Sequence, residues 1–273
     1  MNIKKACKLL HVSRSGYYKY LHWTPPRRLI ENEVYKDKIK AIFEANHGRY
    51  GTIRIQKSLE QEGIRVNRKR IGRLLHEMGL IAKGARYRYK HYNKKTDNND
   101  IPNLLNQVFK SSAKNKIWVG DITYIPAQSK TLYLAVFIDI YSRKVVGWAM
   151  STRMKSSLVV DAFLQGIGKE HPAEGLVVHT DHGSQFTGDL FTRVLKAHGA
   201  VHSESRKGNP YDNALMESFY RTIKRELIQD SVFQNPEQAR SEIFKYIEIY
   251  YNIKRMHSAL GYISPVQYEI KNS

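Results

Sequence analysis

Cysteine is almost missing from this chain: Cys7 is the only one in 273 residues. A lone thiol can neither close an internal disulfide nor supply a cysteine-rich zinc module, so no disulfide framework and no structural zinc are expected, and a reducing compartment follows. Long apolar runs are missing too. No stretch approaches the roughly 18 residues needed to cross a bilayer, and the opening MNIKKACKLL is basic without the apolar centre of a secretory signal, so the chain reads as soluble and cytoplasmic. Acid is scarce in one part only. Residues 1–95 hold 24 Lys and Arg against 7 Asp and Glu, whereas residues 96–273 hold 21 against 18, which puts 17 of the 20 excess positive charges in the first third. Such segregation fits a polyanion-binding front and a nearly neutral rear, because cations that neutralise phosphates release counterions. The length leaves room for two domains, one with a sizeable core.

In the front part, residues 4–20 give two short helical runs broken at His11 to Ser13, with Ser13 placed to cap the second, a small helix-turn-helix-like segment over 1–24. Pro25 and Pro26 interrupt any helix. A second helical unit is expected from Glu33, with Tyr35, Ile39, Ile42 and Phe43 on its core face. Two further helices come after the turn at residues 47–51. In the second of these Ile71, Leu74, Leu75 and Met78 form an inner face, Lys69, Arg73 and His76 line the other side, and Asn67 can cap the start. Apolar inside and basic outside is how a recognition helix packs on its domain while meeting a major groove, so Lys69 and Arg73 are candidate DNA contacts. Residues 83–95 add six Lys or Arg, three Tyr and no acid, suited to tracking phosphates, with Arg86 and Arg88 among them. This helical region with its basic tail is set at 33–95, and the polar, patternless 96–103 is the linker.

Beyond Leu104 the periodicity changes to three β-branched and aromatic runs, IWVGDITYIPA, TLYLAVFIDIYS and KVVGWAMS, expected as an antiparallel meander. A helix from Ser156, the strand LVVHTD, a helix near 189–198, the strand AVHSES and a long helix from Asn213 complete a mixed sheet with flanking helices. Three carboxylates fall at telling places. Asp121 lies in the first strand, Asp181 at the end of the fourth, and Glu217 in the helix after the fifth, with 59 and 35 residues between successive acids. Acids gathered from separate elements are costly together unless hard divalent cations neutralise them. Asp139 is a fourth acid near the first strand, a lesser candidate for a ligand and read mainly as a buried group that caps or pairs with a neighbour such as Arg143. His179 and His182 flank Asp181, and alternation argues against their binding one metal together, though His182 is placed to meet water or DNA. Gly183 is expected to permit a sharp turn there, with Ser184 and Gln185 close by. The loop from Gly208 is expected to be mobile and to order over DNA, leaving Asp212 as the cap of the Glu217 helix. On that helix Leu215, Phe219, Ile223 and Leu227 share the packing side, and Arg221 and Lys224 stand four and seven residues beyond Glu217 on another face. Residues 236–251 should form one more helix, and the tail after it should cover a sheet edge.

HGRYGTIRI, WVGDITYI, FIDIYSRKVVGW, HTDHGSQF, SRKGNPYDNALMESFYRTIKREL and YNIKRMHSALGYISPVQY together resemble the OrfB transposases of bacterial insertion sequences of the insertion-sequence-three type, which share the DDE core of retroviral integrases. The resemblance spans nearly the whole chain. It implies an α+β architecture, a helix-turn-helix region followed by a ribonuclease-H-like mixed sheet, with a catalytic core over 104–229 and a C-terminal helix and tail over 230–273. It further implies Asp121, Asp181 and Glu217 as catalytic residues holding two magnesium ions, with manganese able to substitute, and 3′-end cleavage followed by strand transfer. Arg221 and Lys224 match basic positions that grip the element end. The partners implied are element-end and target DNA, further copies of the chain in a synaptic complex, and a protein from an upstream reading frame. One departure is plain: integrases carry an amino-terminal His/Cys zinc unit, and this chain has helix-turn-helix segments instead. A nuclease of the same fold that only hydrolyses, and a catalytically idle DNA-binding regulator, are the alternatives. A tyrosine recombinase fits less well, because it needs clustered Arg and His on a helical domain.

Overall fold

The computed structural model describes residues 2–83, 101–128, 130–206, 210–229 and 231–272, in two units, Met1–Ala85 and Arg86–Ser273. In the first unit α1 (Ile3–Leu9) and α2 (Arg14–Leu21) are the two short runs, and the Ser13 hydroxyl accepts the Gly16 amide at 2.9 Å as the cap of α2. α3 spans Arg27–Ala45 and so begins six residues earlier than the sequence suggests. Pro26 occupies the N-cap position with its own φ of −62°, and an Arg27–Glu31 pair at 3.0 Å ties the first turn, so the proline pair starts this helix as well as ending the segment before it. α4 (Thr52–Gln61) and α5 (Arg68–Glu77) pack with it through Ile39, Ile55, Leu59, Ile71 and Leu74, all essentially without exposure.

The second unit is built on a five-stranded sheet. β1 (Ile117–Ile125), β2 (Leu132–Asp139) and β3 (Val145–Ser151) form the meander, and β4 (Val177–Thr180) and β5 (Val201–Glu204) run parallel to β1, giving the order β3-β2-β1-β4-β5. Antiparallel on one side and parallel on the other, this is the ribonuclease-H-like arrangement. α6 (Ser156–Glu170) crosses from β3 to β4, the single turn α7 (Ser184–Thr187) comes after β4, and α8 (Asp189–Ala197) leads to β5. Between sheet and helices Trp118, Phe137, Phe163, Phe186 and Phe191 form an aromatic core with ring centroids about 6 Å apart. α6 can lie this close because β3 has a glycine where it passes: a Cβ on Gly147 would stand 2.1 Å from the Ala162 carbonyl oxygen.

α9 (Ala214–Ile223) packs on β1 with Leu215, Phe219 and Ile223 buried, and a π-helical turn over Lys224–Ile228 continues it. α10 (Pro236–Phe244), a second π-helical stretch over Lys245–Tyr251 and α11 (Pro265–Lys271) close the chain. They cover an edge, as expected of the tail. The Asn252 side chain donates to the Val145 carbonyl and accepts its amide, both at 2.9 Å, so at Val145 the outer rim of β3 is satisfied by a side chain.

Candidate active site

Strand register brings the first two acids level. Val119 is paired with His179 across the parallel β1–β4 ladder, so two residues further along each chain Asp121 and Asp181 stand side by side where β4 ends. Each carboxylate accepts a nearby amide, Asp121 from Ile122 at 2.6 Å and Asp181 from Gly183 at 3.1 Å. Glu217 comes from α9, on the turn before Tyr220, whose buried hydroxyl donates to the Asp121 carbonyl oxygen and fastens the helix to the strand.

Asp121 feels both of the other acids. Burial, then the charge of Asp181, then that of Glu217 push the Asp121 carboxyl up to about 8, against the Ile122 amide and the Lys224 ammonium, which favour its ionised form. Burial also raises Asp181, opposed by the Gly183 amide and His182, and it raises Glu217, opposed by Arg221. Among the described residues no three His, Cys, Asp or Glu side chains are gathered closely enough to hold one ion. Carboxylate oxygens alone are the donors that hard divalent cations such as magnesium prefer, so the residues fit such ions by their chemistry.

Asp139, His179, His182 and Gly183 each have partners of their own. Asp139 pairs with Trp118, three residues before Asp121 on β1, and so leaves the sheet on the other face. There it accepts the Asn115 amide at 3.2 Å and the Tyr141 amide at 3.0 Å, while the Arg143 guanidinium donates to the Phe109 carbonyl. It shapes a turn and stands apart from Asp121. His179 is fully buried, with Ser203 Oγ at 2.8 Å from Nδ1 and the Asp212 carbonyl at 3.0 Å from Nε2, and burial lowers it to about 4, so it stays neutral. His182 turns its Nδ1 to the buried Glu204 at 2.8 Å. Gly183 has ordinary angles, φ −57° and ψ 135°, and a Cβ there would lie 3.1 Å from the Asp181 carboxylate, which would have to shift slightly to admit it.

Asp212 does not cap the Glu217 helix. It is fully buried, and its carboxylate takes two bonds from the Arg206 guanidinium, one from the Arg206 amide, and one each from Asn103 and Gln107, all at 2.8 Å. Burial alone would raise this acid, yet Arg206 and the surrounding donors hold it well below the usual carboxylate range. Asn213 takes the cap position, without a side-chain bond. The sequence concealed this because Asn103 and Gln107 lie more than a hundred residues away.

Among the candidate DNA contacts, Arg221 sits beside Glu217, and the Lys224 ammonium lies 4.7 Å from the centre of the Tyr124 ring. Lys69 and Arg73 are exposed on α5, whereas Arg70 between them is drawn inward to Asn32, Glu31 and the face of Tyr35. Arg86, Arg88 and the rest of the basic tail after Lys83 lie outside the described residues, as do residues 207–209 of the loop before α9. No described helix is long and apolar enough to cross a membrane. Tyr220, Glu204 and Tyr124 were missed by sequence reasoning, since none has a spacing that sets it apart.

Residues 111–210 and 198–265 match two families described as integrase core domains, and residues 30–90 match an HTH-like domain. The chain is 57% identical over 253 residues to the transposase for insertion sequence element IS904 of Lactococcus lactis, covering 93% of this chain and 100% of that protein. It is 37% identical over 277 residues to transposase InsF for insertion sequence IS3A of Escherichia coli, covering 99% and 95%. A chain of the simian T-cell lymphotropic virus intasome, solved in complex with a PP2A regulatory subunit, aligns with a TM-score of 0.49 at 17% identity, over 85% of this chain and 74% of that one. With relatives matched over nearly their full lengths, the chain belongs to the OrfB transposases of the IS3 family of bacterial insertion sequences.

Proposed function

We propose that this transposase cuts the DNA strand at the end of its element to free a 3′ hydroxyl and joins that hydroxyl to target DNA, using Asp121, Asp181 and Glu217 as one metal-binding set. The observation that carries the reading is the register that sets Asp121 beside Asp181, with the Asp121 carboxyl raised by both of the other acids. Such a set is held at a cost in the free protein and gains when cations arrive, which is a signature of function over stability. When bound, a pair of divalent ions supplies charge neutralisation at phosphorus, activation of the attacking oxygen and stabilisation of the leaving oxygen. Asp121 and Asp181 would hold them from adjoining strands and Glu217 from the helix that Tyr220 ties down. Arg221 and Lys224, one and two turns beyond Glu217, are suited to the phosphates of the same DNA end. Lys69, Arg73, Arg86 and Arg88 belong to the basic front, where contacts to phosphate give affinity without base chemistry. Two element ends need two acid sets, and the described residues of one chain offer this one set, so the working form is a homo-oligomer.

A hydrolytic nuclease of the same fold is separated from this reading by one assay. An end oligonucleotide carrying a free 3′ hydroxyl is incubated with the full chain, magnesium and a target duplex. Joined products of greater length are expected. Cleavage with water alone, and no joined product, would reduce the protein to a nuclease.

A further inference from the structure

The Asp212 carboxylate is fully buried just ahead of α9, yet it leaves the cap of that helix to Asn213 and takes bonds from Arg206 after β5 and from Asn103 and Gln107 before β1. Its main chain is engaged as well, with the carbonyl oxygen 3.0 Å from His179 Nε2. A carbonyl only accepts, so in the neutral His179 ring Nε2 carries the proton. Nδ1 is then left to accept the Ser203 hydroxyl at 2.8 Å, and that hydroxyl oxygen accepts the Leu104 amide at 2.9 Å. Every donor in this chain of bonds meets an acceptor, and it joins the entry of α9 to β4, to β5 and to the segment before β1.

Glu217 lies five residues after Asp212 and three before Tyr220. Tyr220 ties α9 to β1 at Asp121, and Asp212 ties its entry to His179 on β4, two residues before Asp181. The helix acid is therefore held on both sides, once to each strand that brings one of the other acids. For stability alone such an arrangement is a costly choice, since a buried acid paired with arginine is often matched by apolar groups of the same size. What the carboxylate adds over an apolar side chain is direction, through bonds at 2.8 Å from three different residues.

We infer that Asp212 is a positioning residue of the acid set, which acts through α9 to fix where Glu217 stands relative to Asp181. The inference rests on the three acids being a metal-holding phosphoryl-transfer site.

Magnesium titration of the full chain tests it in two ways, by calorimetry without DNA and by joining of an end oligonucleotide at saturating DNA. Asp212→Asn removes the charge and sets an amide against the donors of Asn103 and Gln107. Its magnesium affinity should be about tenfold weaker and the magnesium midpoint of joining about tenfold higher, as for loss of an outer partner that orients a ligand. Joining at saturating magnesium should return to near the wild-type rate, because all three acids are intact. A folded Asp212→Asn with wild-type magnesium affinity and midpoint would overturn the inference even if its maximal rate fell, since a merely structural fault reduces the amount of active protein and leaves the midpoint in place. Should Asp212→Asn give no cooperative melt, Gln107→Ala decides: Gln107 is exposed and gives up a single donor. A midpoint raised by less than tenfold is expected there, and an unchanged one would overturn the inference. A wild type that joins DNA with magnesium, matched in midpoint by Asp212→Asn, loses the positioning role and keeps its chemistry. A wild type that binds no magnesium loses the three-acid reading and this inference with it.

Discussion

Asp121 holds its proton near neutrality in the metal-free protein, with a folded pKa of about 8 against an ordinary 3.8. An acid raised on folding contributes stability that is complete below its unfolded pKa and is lost as pH rises through the folded value. Between about pH 4 and 8, then, this group should weaken the free protein progressively. Asp121→Asn carries no charge at any of these values, so in chelator its melting temperature should exceed that of the wild type at about pH 9 and converge with it near pH 4. Adding magnesium at high pH should raise the wild type and leave the variant in place; parallel melting curves at all pH values would contradict the raised pKa. Tyr220→Phe addresses the neighbouring bond. Loss of one hydrogen bond should cost about 1 kcal/mol in urea unfolding, and the helix carrying Glu217 should sit less firmly, so half-maximal joining should need more magnesium. An unchanged magnesium dependence would leave Tyr220 a packing residue only. The places of the three acids, on β1, just after β4 and on α9, were legible from the apolar runs around them. Tyr220 was not, being one tyrosine among 18, whose role comes from where α9 meets the strand.

Helical spacing in α9 was readable, and the change of helix type at its end was not. Leu215, Phe219, Ile223 and Leu227 are buried as their period of four requires, but the π-helical turn at Lys224–Ile228 widens the helix and buries Glu226, Leu227 and Ile228 in succession. Glu226 finds its partner 29 residues on: Arg255 donates to it through Nε at 2.9 Å and Nη2 at 2.8 Å, and the Tyr246 hydroxyl donates at 2.9 Å. Both members of the pair are only about 5% exposed. Nothing in a local window shows that an acid in KREL goes inward, because the burial is made by the C-terminal helices. This pair fastens those helices to the element that carries Glu217. Glu226→Ala, which leaves Arg255 buried and uncompensated, should cost about 3–5 kcal/mol in urea unfolding, and replacing both residues by apolar ones of similar size should cost much less. Equal losses from the single and double changes would mean that the segment's packing, and not the ion pair, is what matters. The early start of α3 is a similar case, since Pro25 and Pro26 read equally as the end of one helix and as the start of another.

At the scale of the molecule the chain order of the elements was legible, three β-branched and aromatic runs and then helices and strands by turns, whereas the place of β4 beside β1 in the sheet was not. Long-range bonds were beyond reach, Asp212 to Asn103 and Asn252 to Val145 among them, because a side chain's partner a hundred residues away leaves no mark in spacing. Charge, by contrast, is legible at any range. The excess of Lys and Arg in residues 1–95 should leave most of the affinity for DNA to the front, while the three acids lie in the rear. Binding and chemistry should therefore separate in a single variant. The decisive measurement compares wild type and Asp181→Asn for DNA binding by gel shift over a range of salt, and for magnesium-dependent joining of a 3′ hydroxyl end to target DNA. Unchanged affinity and salt slope are expected, with joining reduced by about a hundredfold or more, as loss of a metal-holding carboxylate implies. Joining at the wild-type rate would remove Asp181 from the site and the three-acid account with it.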